Sequence, residues 1–458
     1  MNEWKIHEKY KRLVKLLFSS ILIIGLTMIY AVVWIGYYNR YILQIPFYRR
    51  GNWVIILMYA VLIVFFMTMY GGFKVGYLKR GNLIYSQIVS VFFVNLFTYV
   101  QIAVIDKRFV DPLYIVIMSV VDISYIIAWT MLFQTVYTYL FPPRKMLFIS
   151  GDRQDYHLKD KMNSREDKYE ICEMISYHVG LEKIKKRVVL YDSVIIGDIP
   201  SHERNQIVKF CFLIGKRSYS VPKVSDILLK SSDELNLFDT PLLLSRNIGL
   251  TMEQQIVKRI EDVIISILML VMFSPVFLVA AIGIKCTDGG KIFYKQERLT
   301  QDNKVFMIYK FRTMIERAEQ ISGPVLASDK DPRIIPIGRI LRATRMDELP
   351  QLINILKGDM SIVGPRPERP LIAREIEKNI PEFNFRLKVK AGLTGYAQVY
   401  GKYNTKPYDK LKLDLTYIRR YSLLLDLKLI IMTPKILFIK ESTEGVENQS
   451  VSTKGKQI

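Results

Sequence analysis

Four long apolar stretches, at residues 14–38, 53–70, 84–105 and 113–141, constrain this chain more than anything else in it. Each comes close to or exceeds the roughly 20 residues that an α-helix needs to cross a bilayer. They predict an α-rich membrane protein with a four-span bundle over residues 1–143. All four tryptophans, Trp4, Trp34, Trp53 and Trp129, lie in this region, in keeping with interfacial anchoring, although Trp129 is placed deeper. Lys5, Lys9, Lys11, Arg12 and Lys15 precede the first stretch, and Lys74, Lys79 and Arg80 fill the second connection. The first connection carries only Arg40, Arg49 and Arg50, and the third balances Lys107 and Arg108 with Asp106 and Asp111. This asymmetry puts the N-terminus in the cytoplasm, and four spans return the chain to that side. No small-residue cleavage site follows the first stretch, so it reads as an anchor that stays attached.

Across 458 residues, 65 Lys+Arg stand against 43 Asp+Glu, a net charge of +22. Such an excess implies a polyanionic partner, and the apolar runs favour membrane lipid and phosphorylated substrates over nucleic acid. Cys172, Cys211 and Cys286 are scattered, without metal-ligand spacing or an even count, which argues for a reducing compartment. The histidines, His7, His157, His178 and His202, all fall in the first half. Chemistry in the last 200 or so residues must therefore run without imidazole, which excludes Ser-His-Asp and Cys-His arrangements there.

Residues 144–251 read as a small α/β module. KMLFIS (145–150) is a buried strand, RVVLYDSVIIGDIP (187–200) a strand–turn–strand, and 203–215 a helix. The first strand leads into GDRQDY rather than GxGxxG, so the Rossmann-like pattern is degenerate, and a structural or regulatory role is favoured over a dinucleotide site. A fifth apolar run, 260–284, contains Ser274-Pro275 and has basic flanks on both sides, Lys258 and Arg259 before and Lys285, Lys291 and Lys295 after. Proline breaks the helix there, and the serine can satisfy freed backbone. A straight fifth span would put the rest of the chain outside, against its basic flank, so a re-entrant helix is the favoured reading. The tail at 441–458 is polar and reads as disordered.

Unusual local signals concentrate between residues 291 and 440. MDELPQLINIL reads as a helix whose start holds Asp347 and Glu348, with Pro350 tolerated in the first turn. Taken alone, such a pair is ordinary helix-capping chemistry. Yet Arg333, Arg339, Arg342 and Arg345 precede it, and Arg366 follows between Pro365 and Pro367. Carboxylates among arginines suit a metal-bound phosphate. One carboxylate attacks phosphorus, the other holds Mg²⁺, and guanidiniums spread the oxyanion charge.

The landmarks KRIED (258–262), Ser274-Pro275, QER (296–298), KFRTM (310–314), DPR (331–333), DELPQ (347–351), GDMSIVGPRPE (358–368), GLTGYAQVYGKYNT (392–405) and LDLTYI (413–418) resemble the bacterial sugar transferases, or polyprenyl-phosphate phosphoglycosyl transferases. The resemblance covers residues 258–438 and implies an α/β catalytic domain at 252–440, with the bundle and module ahead of it as in the large, multi-span members. It implies transfer of a sugar-1-phosphate from a UDP-sugar to polyprenyl (undecaprenyl) phosphate at the cytoplasmic face of the bacterial inner membrane, an early step towards exopolysaccharide or capsule. By that resemblance Asp347 is the nucleophile that forms a phosphosugar–aspartate, and Glu348 binds Mg²⁺. Arg342 binds phosphate, Pro365, Arg366 and Pro367 form the turn at the uridine, and Lys310 and Arg312 belong to the site. Lys258 and Arg259 begin the re-entrant helix, and Ser274 and Pro275 break it. Three departures stand out: Thr300 and Asn303 replace turn glycines, Arg345-Met346 replaces Ser-Leu, and Tyr396 replaces tryptophan. The rival readings are a catalytically inactive, membrane-anchored nucleotide-sugar-binding regulator and a polytopic transferase without a covalent step. The sugar, the role of the module and the oligomeric state stay open, a homodimer among the options.

Overall fold

A computed structural model describes residues 3–151, 156–236, 239–245, 249–315, 333–401 and 405–437. The tail at 441–458, Asp331-Pro332 of DPR, residues 402–404 and most of GDRQDY lie outside the described residues. The chain divides into two compact units, Met1–Pro222 and Lys223–Ile458.

The first unit opens with four helices, α1 (Glu3–Val33, continued as a π-helix over Trp34–Ile42), α2 (Arg49–Tyr70), α3 (Arg80–Ile105) and α4 (Leu113–Leu140). All four are long and apolar enough to cross a membrane. Many of their large apolar side chains face outward, as expected where lipid is the solvent, and polar groups pair within the apolar bundle interior. Tyr59 donates to Asn95 at 2.9 Å, and Asn95 donates to Ser119 at 2.9 Å and to Asp122 at 3.0 Å. Thr130 donates to Gln87 at 2.6 Å, which in turn donates to the Gly72 carbonyl at 3.0 Å. At one end the α1–α2 and α3–α4 connections meet, where Gln44 donates its backbone N–H to Asp106. The start of α1 and the α2–α3 connection lie at the other end, where Lys15 sits 4.6 Å over the Tyr77 ring.

The α/β module follows immediately. Strands β1 (Arg144–Ser150), β2 (Tyr169–Ser176), β3 (Ser193–Ile196) and β4 (Arg217–Ser220) form one parallel sheet in the order β2-β1-β3-β4. This is the arrangement of a doubly wound, Rossmann-like sheet. One face packs on helix α5 (Tyr156–Asn163) and the other on α6 (Leu181–Val188) and α7 (Ser201–Leu213). The sequence reading of 187–200 needs correction. Arg187 and Val188 close α6, Leu190 turns back on Arg187, and only Ser193–Ile196 is a strand. The β-branched run RVVL misled because Val188 is buried as the last anchor of a helix rather than as a strand residue.

A second correction concerns the boundary near residue 251. Among the described residues, 223–251 do not extend the sheet; Val224 and Leu250 join the core of the C-terminal unit, and Arg419 holds Ser231 at 2.9 Å. That unit contains the helix pair Met252–Met272 and Ser274–Asp288, bent by 61°. Ser274 donates to the Val271 carbonyl at 2.8 Å, satisfying backbone that Pro275 leaves without a partner. The two arms suit either one bent span or a loop that enters and leaves on one face. Beyond them lie an antiparallel hairpin (Phe293–Leu299 with Val305–Phe311), a parallel strand pair (Met360–Val363 with Ala391–Thr394) and surrounding helices. Asp302 and Asn303 take left-handed conformations in the hairpin turn, which explains how it forms without the expected glycines. Thr300 also gains a role. Its hydroxyl donates to the Asp359 carbonyl at 2.8 Å and accepts from the Ala391 N–H, tying the hairpin to the strand pair.

Candidate active site

The acidic pair does not start the helix, as the sequence suggested. Arg345 is left-handed (φ 55°), Asp347 and Glu348 occupy a separate 3-10 turn (Met346–Glu348), and the helix proper is Gln351–Lys357. Pro350 stands at the N-cap of that helix instead of lying inside it, and Leu349 and Pro350, both helical in conformation, link it to the acidic turn. The pair therefore sits on a short, tightly bent segment clamped from both sides.

One clamp is the hairpin. Lys310, near the end of its second strand, donates to Glu348 Oε1 at 2.7 Å. Asn354 places helix Gln351–Lys357 against the same strand, accepting from the Tyr309 N–H at 2.9 Å and donating to the Met307 carbonyl at 2.8 Å. A fully buried amide thus replaces a strand partner. The other clamp is the GPRP turn. Arg366 donates to the same Glu348 oxygen at 2.9 Å. The turn lies against the second strand of the parallel pair through Gly364 N–H to Thr394 and Gly392 N–H to Pro365, at 2.8 and 2.9 Å. A Cβ at Gly392 would come within 2.1 Å of the Gly364 nitrogen, so only glycine lets these two backbones meet.

Behind Arg366 lies a buried ionic layer. Arg386 donates to the Arg366 carbonyl at 2.8 Å and pairs with Asp414 at 2.8 Å, while Lys410 pairs with Glu368 at 2.5 Å. Arg298 of QER is close to Arg369, Glu368 and Arg366; burial, and then Arg369, push its pKa down. The electrostatic result is uneven. Burial would raise the pKa of Glu348, but Arg366 and Lys310 outweigh it and hold this carboxyl far below the usual range. Burial dominates at Asp347 and raises its pKa, against the pull of Lys310, Arg342 and Arg366, with Glu348 adding repulsion. One carboxylate is locked as an anion; its neighbour is half-buried and faces three cations.

The model of the bacterial sugar transferase family matches residues 253–440, the stretch that contains this site. The exopolysaccharide production protein ExoY of Sinorhizobium fredii is 37% identical over 190 residues, which make up 38% of this chain and 83% of that protein. The chain belongs to the bacterial sugar transferase family. Two larger relatives match less completely. The UDP-N-acetylgalactosamine-undecaprenyl-phosphate N-acetylgalactosaminephosphotransferase of Aeromonas hydrophila is 33% identical over 262 residues, 55% of this chain and 60% of that one. The UDP-glucose:undecaprenyl-phosphate glucose-1-phosphate transferase of Klebsiella pneumoniae is 37% identical over 230 residues, 47% of each chain. The chain thus matches about half the length of these larger curated relatives.

Within the matched region the structure gathers Asp347, Glu348, Lys310, Arg342 and the Pro365-Arg366-Pro367 turn. Arg312 points to other work: it is buried, pairs with Asp288 at the end of the broken helix pair and donates to the Lys291 carbonyl at 2.7 Å. Lys258 and Arg259, read from sequence as a basic membrane flank, are ties. Lys258 is buried against Asp426 at 2.5 Å, and Arg259 donates to the Ile355 and Leu356 carbonyls, at 2.6 Å each, capping the helix that follows the acidic pair. Asn354 and Arg386 escaped the sequence reading. The signal was there, a polar residue inside the apolar run LPQLINIL and an arginine opposite LDLTYI, but only tertiary pairing shows what each satisfies.

Proposed function

We propose that this protein transfers a sugar-1-phosphate from a UDP-sugar to polyprenyl phosphate through a phospho-Asp347 intermediate. The supporting observation is the division of labour in the acidic turn. Lys310 and Arg366 hold Glu348 as an anion, and Asp347 faces Lys310, Arg342 and Arg366. In the first half-reaction an Asp347 carboxylate oxygen bonds to the sugar-proximal phosphorus while the bond to the UMP oxygen breaks. In the second, a phosphate oxygen of the lipid attacks the same phosphorus, and Asp347 leaves as carboxylate with polyprenyl-diphospho-sugar as product. Neither step needs a histidine base, and two displacements let a soluble donor and a membrane acceptor use one site in turn. Arg342 and Arg366 neutralise the transferred phosphoryl oxygens.

The donor set fits Mg²⁺. Both hydrogen bonds to Glu348 go to Oε1, which leaves Oε2 and the Asp347 carboxylate as hard oxygen ligands, and Mg²⁺ takes one or two carboxylates plus substrate phosphates. When bound, it supplies charge neutralisation on the diphosphate. Among the described residues no cluster of three or more His, Cys, Asp or Glu side chains is placed to hold a metal, and Mg²⁺ ordinarily completes its shell with waters and substrate phosphates. We place the site on the cytoplasmic face of the bacterial inner membrane, with the bent helix pair as a re-entrant anchor. That reading rests on the basic N-terminal arm and second connection, on Lys285, Lys291 and Lys295 after the pair, and on the need to reach a lipid phosphate at headgroup level.

The test is UMP release from UDP-glucose, UDP-galactose and UDP-N-acetylgalactosamine by the whole chain with undecaprenyl phosphate and Mg²⁺. Wild type should release UMP and form a base-labile phosphosugar adduct; Asp347→Asn should do neither. A silent wild type would favour the inactive regulator, and an active Asp347→Asn would remove the covalent step.

A further inference from the structure

The α/β module carries an exposed feature that the transferase chemistry does not use. Every strand of its parallel sheet starts at the edge that meets the bundle. Only Phe141, Pro142 and Pro143 separate α4 from β1, a reach of about 10 Å. Lys168, just before β2, sits 4.3 Å over the Tyr77 ring, on which Lys15 of α1 also lies. Tyr169 of β2 and Tyr219 of β4 pack together on the α5 side of the sheet, so this half of the edge meets the bundle.

The other half belongs to α6 and α7, which cover the opposite face. In a parallel α/β unit helices run against the strands, so the C-terminal ends of α6 and α7 return to the membrane-proximal edge. Hydrogen bonds confirm the placement: Asp192, after α6, donates its N–H to the Lys145 carbonyl at the start of β1. Lys216, after α7, donates to the Val189 and Tyr191 carbonyls at 3.1 and 2.5 Å, joining the two turns. At these turns large apolar side chains stand in the open: Leu190 is 70% exposed, Phe212 88% and Leu213 81%. A shallow depression beside them is lined by Lys185, Gln206, Lys209, Phe210, Phe212 and Leu213. Exposed Lys186 and Lys209 flank the patch.

We propose that this edge rests in the headgroup layer of the bilayer that the bundle spans, with Leu190, Phe212 and Leu213 reaching the acyl boundary and the lysines on anionic lipid phosphates. Three observations point to lipid as the occupant. The edge is tethered within about 10 Å of a span end. The patch lies at membrane-proximal turns, on the sheet face that the bundle contact leaves uncovered. Its charged rim is basic, matching an anionic leaflet, where each Lys or Arg near the surface contributes about 1 kcal/mol. Apolar tips within a cationic rim are the pattern of an interfacial element. The contact would give the module two attachments to the membrane, making it a spacer held at a set height.

The experiment places a nitroxide at Leu213→Cys in the whole chain, with Cys172→Ser and Cys286→Ser, in nanodiscs containing phosphatidylglycerol. His202→Cys, at the opposite end of α7, is the control. Collisions with oxygen relative to a water-soluble nickel chelate should be severalfold higher at 213 than at 202, and Lys186→Glu with Lys209→Glu should lower the ratio at 213. Equal, water-like ratios at both positions would overturn the proposal. So would dipolar broadening at 213 that vanishes on dilution with unlabelled protein, since the occupant would then be a second copy.

Discussion

Around Glu348 the cations outnumber the carboxylates, whereas around Lys258 the carboxylates outnumber the cation. The first cluster sets Lys310, Arg342 and Arg366 against Asp347 and Glu348, with Lys310 and Arg366 still partly exposed. The second sets Asp262, Asp426 and Glu261 against Lys258, and its central pair is buried: Lys258 and Asp426 are 7% and 0% exposed. Neutral donors meet two of its carboxylates, Tyr417 to Asp426 at 2.8 Å, Ser361 to Asp262 at 2.9 Å and the Ile362 N–H to Asp262 at 2.8 Å, whereas both carboxyl oxygens of Glu261 are buried without a hydrogen-bond partner. The same residue types therefore make two different objects. An open cluster with surplus positive charge awaits an anion, and one whose lysine is buried against its partner is a clasp between the first arm of the broken helix pair, the strand Met360–Val363 and the C-terminal helix Leu423–Leu437.

The largest effect should come from the open cluster. Asp347→Asn should lower UMP release by roughly 10⁴-fold or more, as expected for a nucleophile. It should not lower the melting temperature. The folded-state pKa of Asp347 is raised by burial, so its ionisation costs stability above the ordinary carboxylate pKa, and the amide removes that cost. A large loss of both activity and stability would show that this carboxylate is a clasp too, and the contrast would fail.

Next comes the second cluster. Lys258→Met leaves Asp426 buried and unpaired, a change that costs about 3–5 kcal/mol. Thermal unfolding in lipid nanodiscs measures it, and Lys258→Met with Asp426→Leu should recover most of the loss. If Lys258→Met instead left stability intact and abolished turnover, Lys258 would belong to the reaction.

These two clusters also show what was legible in the sequence. The spans, the helix break at Ser274-Pro275 and the acidic pair could all be read, because hydropathy, proline and paired charge are local signals. Arg312 and Lys258 were legible as basic residues in the right region but not as structural ties, since their partners Asp288 and Asp426 are 24 and 168 residues away. Asn354 and Arg386 were missed for the same reason: a buried polar group declares its purpose only through the group that satisfies it. The strand assigned to RVVL failed because a β-branched run is ambiguous until the turn after it is known.

Lys310→Met sharpens the open cluster through pH. Lys310 favours the ionised forms of both carboxylates, so its removal raises the pKa of Asp347. The acid limb of the rate profile, already above that of an ordinary carboxylate, should move to higher pH, and the plateau rate should fall about 10²-fold, the scale of one lost charge-stabilising donor. An unmoved limb with a lower plateau would mean that Lys310 acts on the substrate alone.

The smallest expected change tests how well the clasp satisfies Asp262. Ser361→Ala removes one hydroxyl donor from Asp262, but the Ile362 N–H still donates to the same oxygen. The cost should therefore be about 1 kcal/mol, the net worth of one neutral hydrogen bond, rather than the price of an orphaned charge. Chemical denaturation of the whole chain in mixed micelles reads this as a shift of the midpoint without a change of slope. A loss as large as that of Lys258→Met would mean that Asp262 depends on this one hydroxyl. The second cluster would then be strained rather than settled, and its negative surplus would itself call for a cation.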